Sequence, residues 1–386
     1  MVWSWLRILL DAAVLFVLAT FLFDVIHLLL HRWKASRWGL LRRLASLHDA
    51  HHVFCDRQLV YHDDRVAPNI ILHVIPEYAT QMAVATFGFL VAGFWSVVIV
   101  MAAFTAIFVA VLFLKGKDRN HRSLGILRPA HATALVTPEY HALHHVYPDC
   151  YLSSYTTALD RLLGTACQVR GRRVALTGST GAFGAPLKEL LEAQGAEVRP
   201  IRSGTDFRPG DFTGADAALA WADILVLAHG AKGEQADWAN HESFLELIGR
   251  FKRLARDRQV PPEVWAVGSE IECHPAFGLP ELQSYARSKR AFAREASRFM
   301  DDPDILYRHI VPSAFRSKMG PGLMGGKTAA AWALFLIRRG FRYVPVTYTG
   351  IALVNFVPFR LRGLLSPPIS SQRELLYDHQ EMPAVP

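Results

Sequence analysis

Residues 173–184 read Arg-Val-Ala-Leu-Thr-Gly-Ser-Thr-Gly-Ala-Phe-Gly, and a helix-like stretch, Ala185–Gln194, follows. A short apolar run ending in three glycines spaced by three is the pattern of a buried strand, a turn and a helix. Gly178 permits the tight turn, Gly181 lets backbone approach a pyrophosphate, and Gly184 allows the helix to pack close on the strand. The N-terminus of that helix then faces the phosphates. Glu197–Ile201 is strand-like again, and Ile224–Leu227 and Val264–Val267 read as two further buried strands with helical stretches between them. Residues 172–365 are therefore expected to form a doubly wound, Rossmann-like α/β domain.

Upstream of Gly171 the texture changes. The chain has 386 residues, 51% of them hydrophobic, and a mean hydropathy of +0.17, high for a soluble protein. The excess lies in the first third. Leu6–Leu30 is apolar apart from Arg7, Asp11, Asp24 and His27, and no Asp, Glu, Lys or Arg occurs from Ala79 to Leu114. The second run is long enough for a helical hairpin whose first arm begins near Asn69, with Gly93-Phe94-Trp95-Ser96 as the turn. The first run reads as a span rather than a removed leader, because His27 and His31 stand where a cleavage site would lie. Arg32, Lys34, Arg37, Arg42 and Arg43 follow the first span, and Lys115, Lys117, Arg119 and Arg122 follow the hairpin. Positive residues stay in the cytoplasm, so an integral membrane protein with its catalytic parts on the cytoplasmic face is expected. The formal net charge of +8 fits an anionic membrane surface, and no nucleic-acid motif is present. Cys55, Cys150, Cys167 and Cys273 form no CxxC, which argues against a disulfide framework or a zinc ribbon.

Twelve of the 17 histidines precede residue 146. His27 and His31 are four apart. His48, His51 and His52 form HxxHH, His141, His144 and His145 form a second HxxHH, and His121 stands alone between the boxes. On helices these spacings place each set on one face. Neutral imidazoles can surround a divalent metal without adding charge, and two metals need roughly eight to ten such ligands at five- or six-fold coordination. These nine are the candidate metal ligands. A lone histidine on an apolar helix face is ordinarily a satisfied core residue, so His62, His73 and His131 are not counted.

The ordered pattern HxxxH, HxxHH, HxxHH around two hydrophobic stretches resembles the fatty acid hydroxylase/sterol desaturase superfamily. So do Thr137-Pro138-Glu139-Tyr140 before the last box and Leu159-Asp160-Arg161-Leu162-Leu163-Gly164-Thr165 after it. The resemblance covers about residues 10–166 and implies a centre of two Fe ions, O2 as oxidant and a lipid substrate. It makes residues 1–168 an α-helical membrane domain of the histidine-rich di-iron hydroxylase type. Leu159 replaces the usual Trp, and Tyr151–Tyr155 replaces the usual Asn-Tyr-Gly, which bears on the substrate rather than on the metal set.

In the second domain the turn Thr177-Gly178-Ser179-Thr180-Gly181-Ala182-Phe183-Gly184 is the cofactor-binding candidate. Arg202, just past the second strand, favours the 2′-phosphate of NADP over NAD. Tyr285 and Lys289 are four apart on a predicted helix, where the ammonium can lower the phenol pKa and hold a ribose. Ser269, ending a strand, could bond a substrate carbonyl or hydroxyl. With Asn240 these resemble the short-chain dehydrogenase/reductase family. The resemblance implies a catalytic tetrad of Asn240, Ser269, Tyr285 and Lys289, Val311-Pro312-Ser313 beside the nicotinamide, and Ala231 closing the loop after the fourth strand. His229-Gly230-Ala231 stands where Asn-Ala-Gly is usual.

The combination is similar to fusions of these two families. It implies a membrane-bound lipid oxidoreductase in which an O2-dependent hydroxylase or desaturase is coupled to an NAD(P)-dependent alcohol/carbonyl dehydrogenase. The alternative is a membrane-anchored dehydrogenase with a structural metal site. No flavin or cytochrome b5 module is evident in the sequence, so an external single-electron donor of ferredoxin or cytochrome type is expected. Thr328–Leu365 mixes arginines and aromatics. It suits either an interfacial membrane stretch or the last helix and edge strand of the second domain. Residues 366–386 read as a C-terminal tail.

Overall fold

The computed structural model describes residues 2–124, 126–130, 133–276 and 282–370. They divide into two compact units, Met1–Gly125 with Ala130–Ala166, and Ile126–Pro129 with Cys167–Pro386.

The first unit is helical: α1 Val2–Trp33, α2 Gly39–Phe54, α3 Val66–Asn69, α4 Ile75–Phe87, α5 Phe94–Phe113, α6 Pro138–Val146 and α7 Ala158–Leu163. A π-helical turn, Ile70–Val74, joins α3 to α4, so the first arm of the hairpin is continuous from residue 66 to 87. The turn of the hairpin differs from expectation. Gly93 is the N-cap of α5, and Phe94, Trp95 and Ser96 already lie in its first turn. A stripe on α1 at helical spacing, Ala12, Leu15, Ala19, packs with Ala85, Val97, Val100 and Phe104 of the hairpin. The Phe16 and Phe104 rings stack at 4.7 Å. The outer faces stay apolar and exposed, at Leu6, Leu10, Val14 and Leu18 on α1 and at Phe113 on α5. Ser4–Trp33 and Phe94–Phe113 are each long and apolar enough to cross a membrane.

The second unit carries β1 Arg173–Thr177, α8 Gly184–Ala193, β2 Glu197–Ile201, α9 Asp216–Trp221, β3 Ile224–Leu227, α10 Ser243–Leu254, β4 Glu263–Val267, α11 Gln283–Phe299 and β5 Leu306–Pro312. After these come the short pair β6 Phe315–Arg316 and β7 Met324–Gly325, then α12 Gly326–Arg338, β8 Tyr343–Val346 and α13 Ile351–Leu365. Six strands form one sheet in the order β2-β1-β3-β4-β5-β8, every neighbouring pair parallel. Strands buried on both faces read as unbroken apolar runs, which is why Ile224–Leu227 was legible as one. One apolar core, including Phe244, Phe251 and Phe292, covers one face. The other, including Leu187, Trp265 and Ala333, covers the opposite face.

One expectation changes here. Ala231 follows the third strand, not the fourth. Between β2 and α9 the chain forms no further strand, only the isolated bridges Ser203–Phe207 and Arg208–Asp211 around left-handed Gly204 and Gly210. The stretch 328–365 agrees with the reading as last helix and edge strand: it holds most of α12, the edge strand β8 and the helix α13, with an exposed apolar face on the last.

Candidate metal centre and dinucleotide cleft

Four chain segments deliver the nine predicted ligands. α1 brings His27 and His31, α2 brings His48, His51 and His52, the segment after α5 brings His121, and α6 brings the last three. They fall into two groups: His27, His31, His48, His52 and His144, and His51, His121, His141 and His145. Within each group the candidate ligand atoms lie within 4.8 Å of one another.

The outer nitrogens show which protons are where. Nδ1 of His27 donates to the Leu152 carbonyl at 2.8 Å, Nδ1 of His144 to Cys150 O at 3.0 Å, and Nδ1 of His145 to Cys55 O at 2.7 Å. His51 Nδ1 meets Asn69 Oδ1 at 3.2 Å, and His121 Nδ1 meets Asp118 Oδ1 at 2.6 Å. A carbonyl or carboxylate oxygen only accepts, so Nδ1 carries the proton in each. Burial pushes His48, His51, His52, His141 and His144 well below the ordinary imidazole range, and His145 down to about 3. Neutral rings protonated at Nδ1 leave bare lone pairs at Nε2. Yet His121 Nε2 lies 3.2 Å from His51 Nε2 and 3.3 Å from His145 Nε2, with no hydrogen to share. His144 Nε2 is buried with no hydrogen-bond partner at all. Converging lone pairs repel unless a cation sits among them, so the donor set fits metal ions. Orientation of ligand imidazoles by oxygen acceptors is the usual support of such sites.

Asp160 explains the motif after the last box. Its buried carboxylate accepts from Leu152 N, Ser153 N and the Tyr140 hydroxyl, each at 2.9 Å, and from Thr165 Oγ1. It thereby fixes the loop whose carbonyls orient His27 and His144. Gly164, left-handed at φ 72°, ends α7.

His73, set aside in the sequence reading, packs against the second set of rings without joining either ligand group. On the π-helical turn, its ring centroid lies 3.9 Å from that of His51, its Nδ1 is 3.3 Å from His48 Nδ1, and Glu77 Oε2 is 3.7 Å from its Nε2. The available signal was an ionisable pair, His73 and Glu77, inside an apolar helix. His62 stands apart on Asp56, and His131 lies outside the described residues. A small cavity of about 30 Å³ adjoins His51 and His121, walled by Glu77, Gln81, Phe104 and Phe108.

In the second unit the glycine turn has the required form. Gly178 has φ 64°, and a Cβ on Gly184 would lie 2.1 Å from Gly178 O. Ser179, Thr180 and Gly181 line the open side of this turn at the start of α8, while Thr177 is buried. Its hydroxyl is committed to the fold, donating to Val226 O at 3.2 Å and accepting from Ala228 N at 3.0 Å. His229 bonds Thr177 Oγ1 at 2.8 Å and Ser243 Oγ at 2.9 Å, so the departure from Asn-Ala-Gly ties β1 to α10. Arg202 is exposed one residue past β2.

A cleft of about 510 Å³ takes in Phe183, Ser269, Tyr285 and Lys289. Burial pushes the Tyr285 phenol up to about 12, against the pull of its hydrogen bond with Ser269. Burial pulls Lys289 down to about 8, against the Glu272 carboxylate, and its Nζ donates to Val267 O at 2.8 Å. Asn240 is buried beneath this set. Its amide donates to Ala231 O and Ala236 O and to Ser288 Oγ, so it braces both the Ala231 loop and α11.

Ser269 does not end β4. It is the N-cap of the turn Glu270–Cys273, two residues beyond the strand, in a capping box with Glu272. Glu272 accepts from Ser269 N at 3.1 Å and pairs with buried His309 at 2.7 Å. Glu270 accepts from Thr347 and Thr349. These supports were not anticipated, although Ser-x-x-Glu is a capping-box signature.

Residues 12–165 match the model of the fatty acid hydroxylase family. A curated protein, monoglucosyldiacylglycerol epimerase of Synechocystis sp. (strain ATCC 27184 / PCC 6803 / Kazusa), is 28% identical over 270 residues, which cover 62% of this chain and 64% of that relative. The match thus spans just under two thirds of the relative's length. A short-chain dehydrogenase from Burkholderia cenocepacia J2315 in complex with NADP is similar at 15% identity, covering 56% of this chain and 100% of that one, with a TM-score of 0.41. One from Sphingobium yanoikuyae in complex with NADPH is similar at 15% identity, with 52% and 99% covered and a TM-score of 0.41. The chain is a fusion of an N-terminal fatty acid hydroxylase domain and a C-terminal Rossmann-like domain, the latter resting on its own sheet order.

Proposed function

We propose that this chain is a membrane-bound lipid oxidoreductase. In this reading residues 1–168 form an O2-dependent di-iron hydroxylase or desaturase, and residues 172–365 an NAD(P)-dependent dehydrogenase that interconverts alcohol and carbonyl on the same lipid. The observation that carries it is the convergence of nine histidines in two groups, five of them with Nε2 left bare because an oxygen behind the ring holds the proton on Nδ1. Two irons, when bound there, supply attack on an unactivated C–H bond by O2, with single electrons from an external ferredoxin- or cytochrome-type donor. The chain's own part is to hold the rings by their Nδ1 acceptors and to wall the site with Phe104 and Phe108. In the dehydrogenase half a nicotinamide, when bound in the cleft, would supply or accept the hydride. Tyr285 exchanges the proton at its Oη with the substrate oxygen, Ser269 bonds that oxygen, and Lys289 would hold the ribose.

The test is metal content of detergent-purified protein beside a His144→Ala/His145→Ala variant. Near two irons per chain, lost in the variant, supports the oxygenase half. Zinc alone or no metal leaves a membrane-anchored dehydrogenase. Product analysis with Tyr285→Phe tests the coupling: an unchanged product ends it.

A second reading is favoured by the name of the curated relative, an epimerase of a glycolipid. An alcohol oxidised to a ketone and reduced again on its other face changes configuration with no net redox. Under that reading substrate isomerises without consuming NADPH or O2, whereas the lead reading consumes O2 in step with product.

A further inference from the structure

We propose that α13 is a lipid-facing surface that seats the dehydrogenase cleft on an anionic bilayer. The inner side of the helix is occupied: Ala352 and Phe359 are buried, and Gly363 lies so close to α11 that a Cβ would meet Ser297 O at 2.3 Å. Its outer side presents Leu353, Val354, Val357, Leu361, Leu364 and Leu365, with Val354 77% and Leu365 86% exposed. At 1.5 Å per residue this stripe runs for about 18 Å, the form of a helix lying in an interface.

Charge selects the occupant. Between Asp304 and Glu374 the sequence holds ten Lys and Arg and no Asp or Glu. Arg308 is buried on Glu263 and Arg360 pairs with Asp301, but Lys318, Lys327 and Arg362 are exposed. An apolar stripe on a stretch with this excess of cations, its one neighbouring acid Asp301 held by Arg360, suits acyl chains beneath anionic headgroups.

The cleft opens at the same place. Tyr348, Thr349 and Ile351 line it where α13 begins, and Ser317, Met319 and Pro321 line it from a loop whose Leu323 is 78% exposed. A lipid in the bilayer would reach Tyr285 without crossing water. This inference rests on the reading of the chain as a membrane-bound lipid enzyme.

The experiment places the full chain in nanodiscs of phosphatidylcholine with or without phosphatidylglycerol. A nitroxide is attached at Val354→Cys or Leu361→Cys, with Glu189→Cys on α8 as the solvent reference and wild type carried through as background. Collision rates with O2 and with a water-soluble nickel chelate are read. The expected result is a loss of nickel collisions and a gain of O2 collisions at residues 354 and 361, larger with phosphatidylglycerol and reduced by salt, with no change at 189. Nickel access equal to that at 189, in chains that did enter the discs, overturns the inference and leaves the membrane reading standing. A chain that fails to enter discs overturns both. Shielding seen only with two chains per disc assigns the face to a second copy and also overturns it.

Discussion

The two units hold their working groups in opposite ways. In the helical unit the chemistry resides in side chains: nine imidazoles from four segments, five of them with the proton fixed by an oxygen behind the ring. In the α/β unit the phosphate-binding candidate is backbone, a turn defined by the methyl groups that Gly178 and Gly184 lack. The first is expected to fail when a remote acceptor is removed, and the second when an atom is added.

Asp160→Ala tests the first half of that contrast and carries the largest expected effect. Two buried N–H groups and two hydroxyls lose their acceptor, at a cost of about 3 kcal/mol or more. Loosening the carbonyls behind His27 and His144 lowers metal affinity by roughly 10–100-fold. Elemental analysis at limiting metal, together with a melting curve, reads both. Retained metal and an unchanged melt would show that these acceptors are not what orders the site.

Gly184→Ala tests the other half. The new methyl meets a carbonyl oxygen that cannot move aside, so loss of about 1–3 kcal/mol in NADP binding is expected, with metal content untouched. Calorimetric titration of NADP decides it, and parallel losses at both sites would break the comparison.

Lys289 gives a pH signature to the α/β unit alone. Its folded pKa, about 8, lies below the ordinary value of 10.5 because burial disfavours the ammonium. The unfolded chain therefore binds more protons between about pH 8 and 10.5, and this group's contribution to stability rises with pH across that window. Below it the burial penalty is fully present, up to about 3 kcal/mol. Lys289→Met is expected to melt higher than wild type at pH 7, with the gap closing toward pH 10.5. A gap independent of pH would assign the effect to packing.

The smallest effect belongs to Arg202→Ala. Loss of one exposed charge from the 2′-phosphate is worth about 1–2 kcal/mol toward NADP and nothing toward NAD. The ratio of the two dissociation constants measures it, and an unchanged ratio makes Arg202 a solvated surface residue.

The same contrast governs what could be read from sequence. Helix faces on α2 and α6 were legible because spacings of three and four repeat with a rare residue type. The strands were legible because buried parallel strands are unbroken apolar runs between turns. His73 was not, because one histidine on an apolar face looks like core until the π-helical turn sets its ring against His51. Glu272 and Glu270 were not, because their partners His309 and Thr347 lie 37 and 77 residues away. The position of Ala231 was misjudged because the family's strand count was carried over to a chain in which Ile224–Leu227 is the third strand.

The strand order has a consequence for how the protein is made. β1 and β2 pair first, β3 joins the free side of β1, and β4, β5 and β8 then each add to the outermost strand. No later strand has to be threaded between two earlier ones, so during synthesis the sheet can extend as each strand emerges from the ribosome. The histidine centre has no such gradual route. Its acceptor loop is held by Asp160, 133 residues after His27, so the whole N-terminal unit must be translated before the first imidazole can be locked in place.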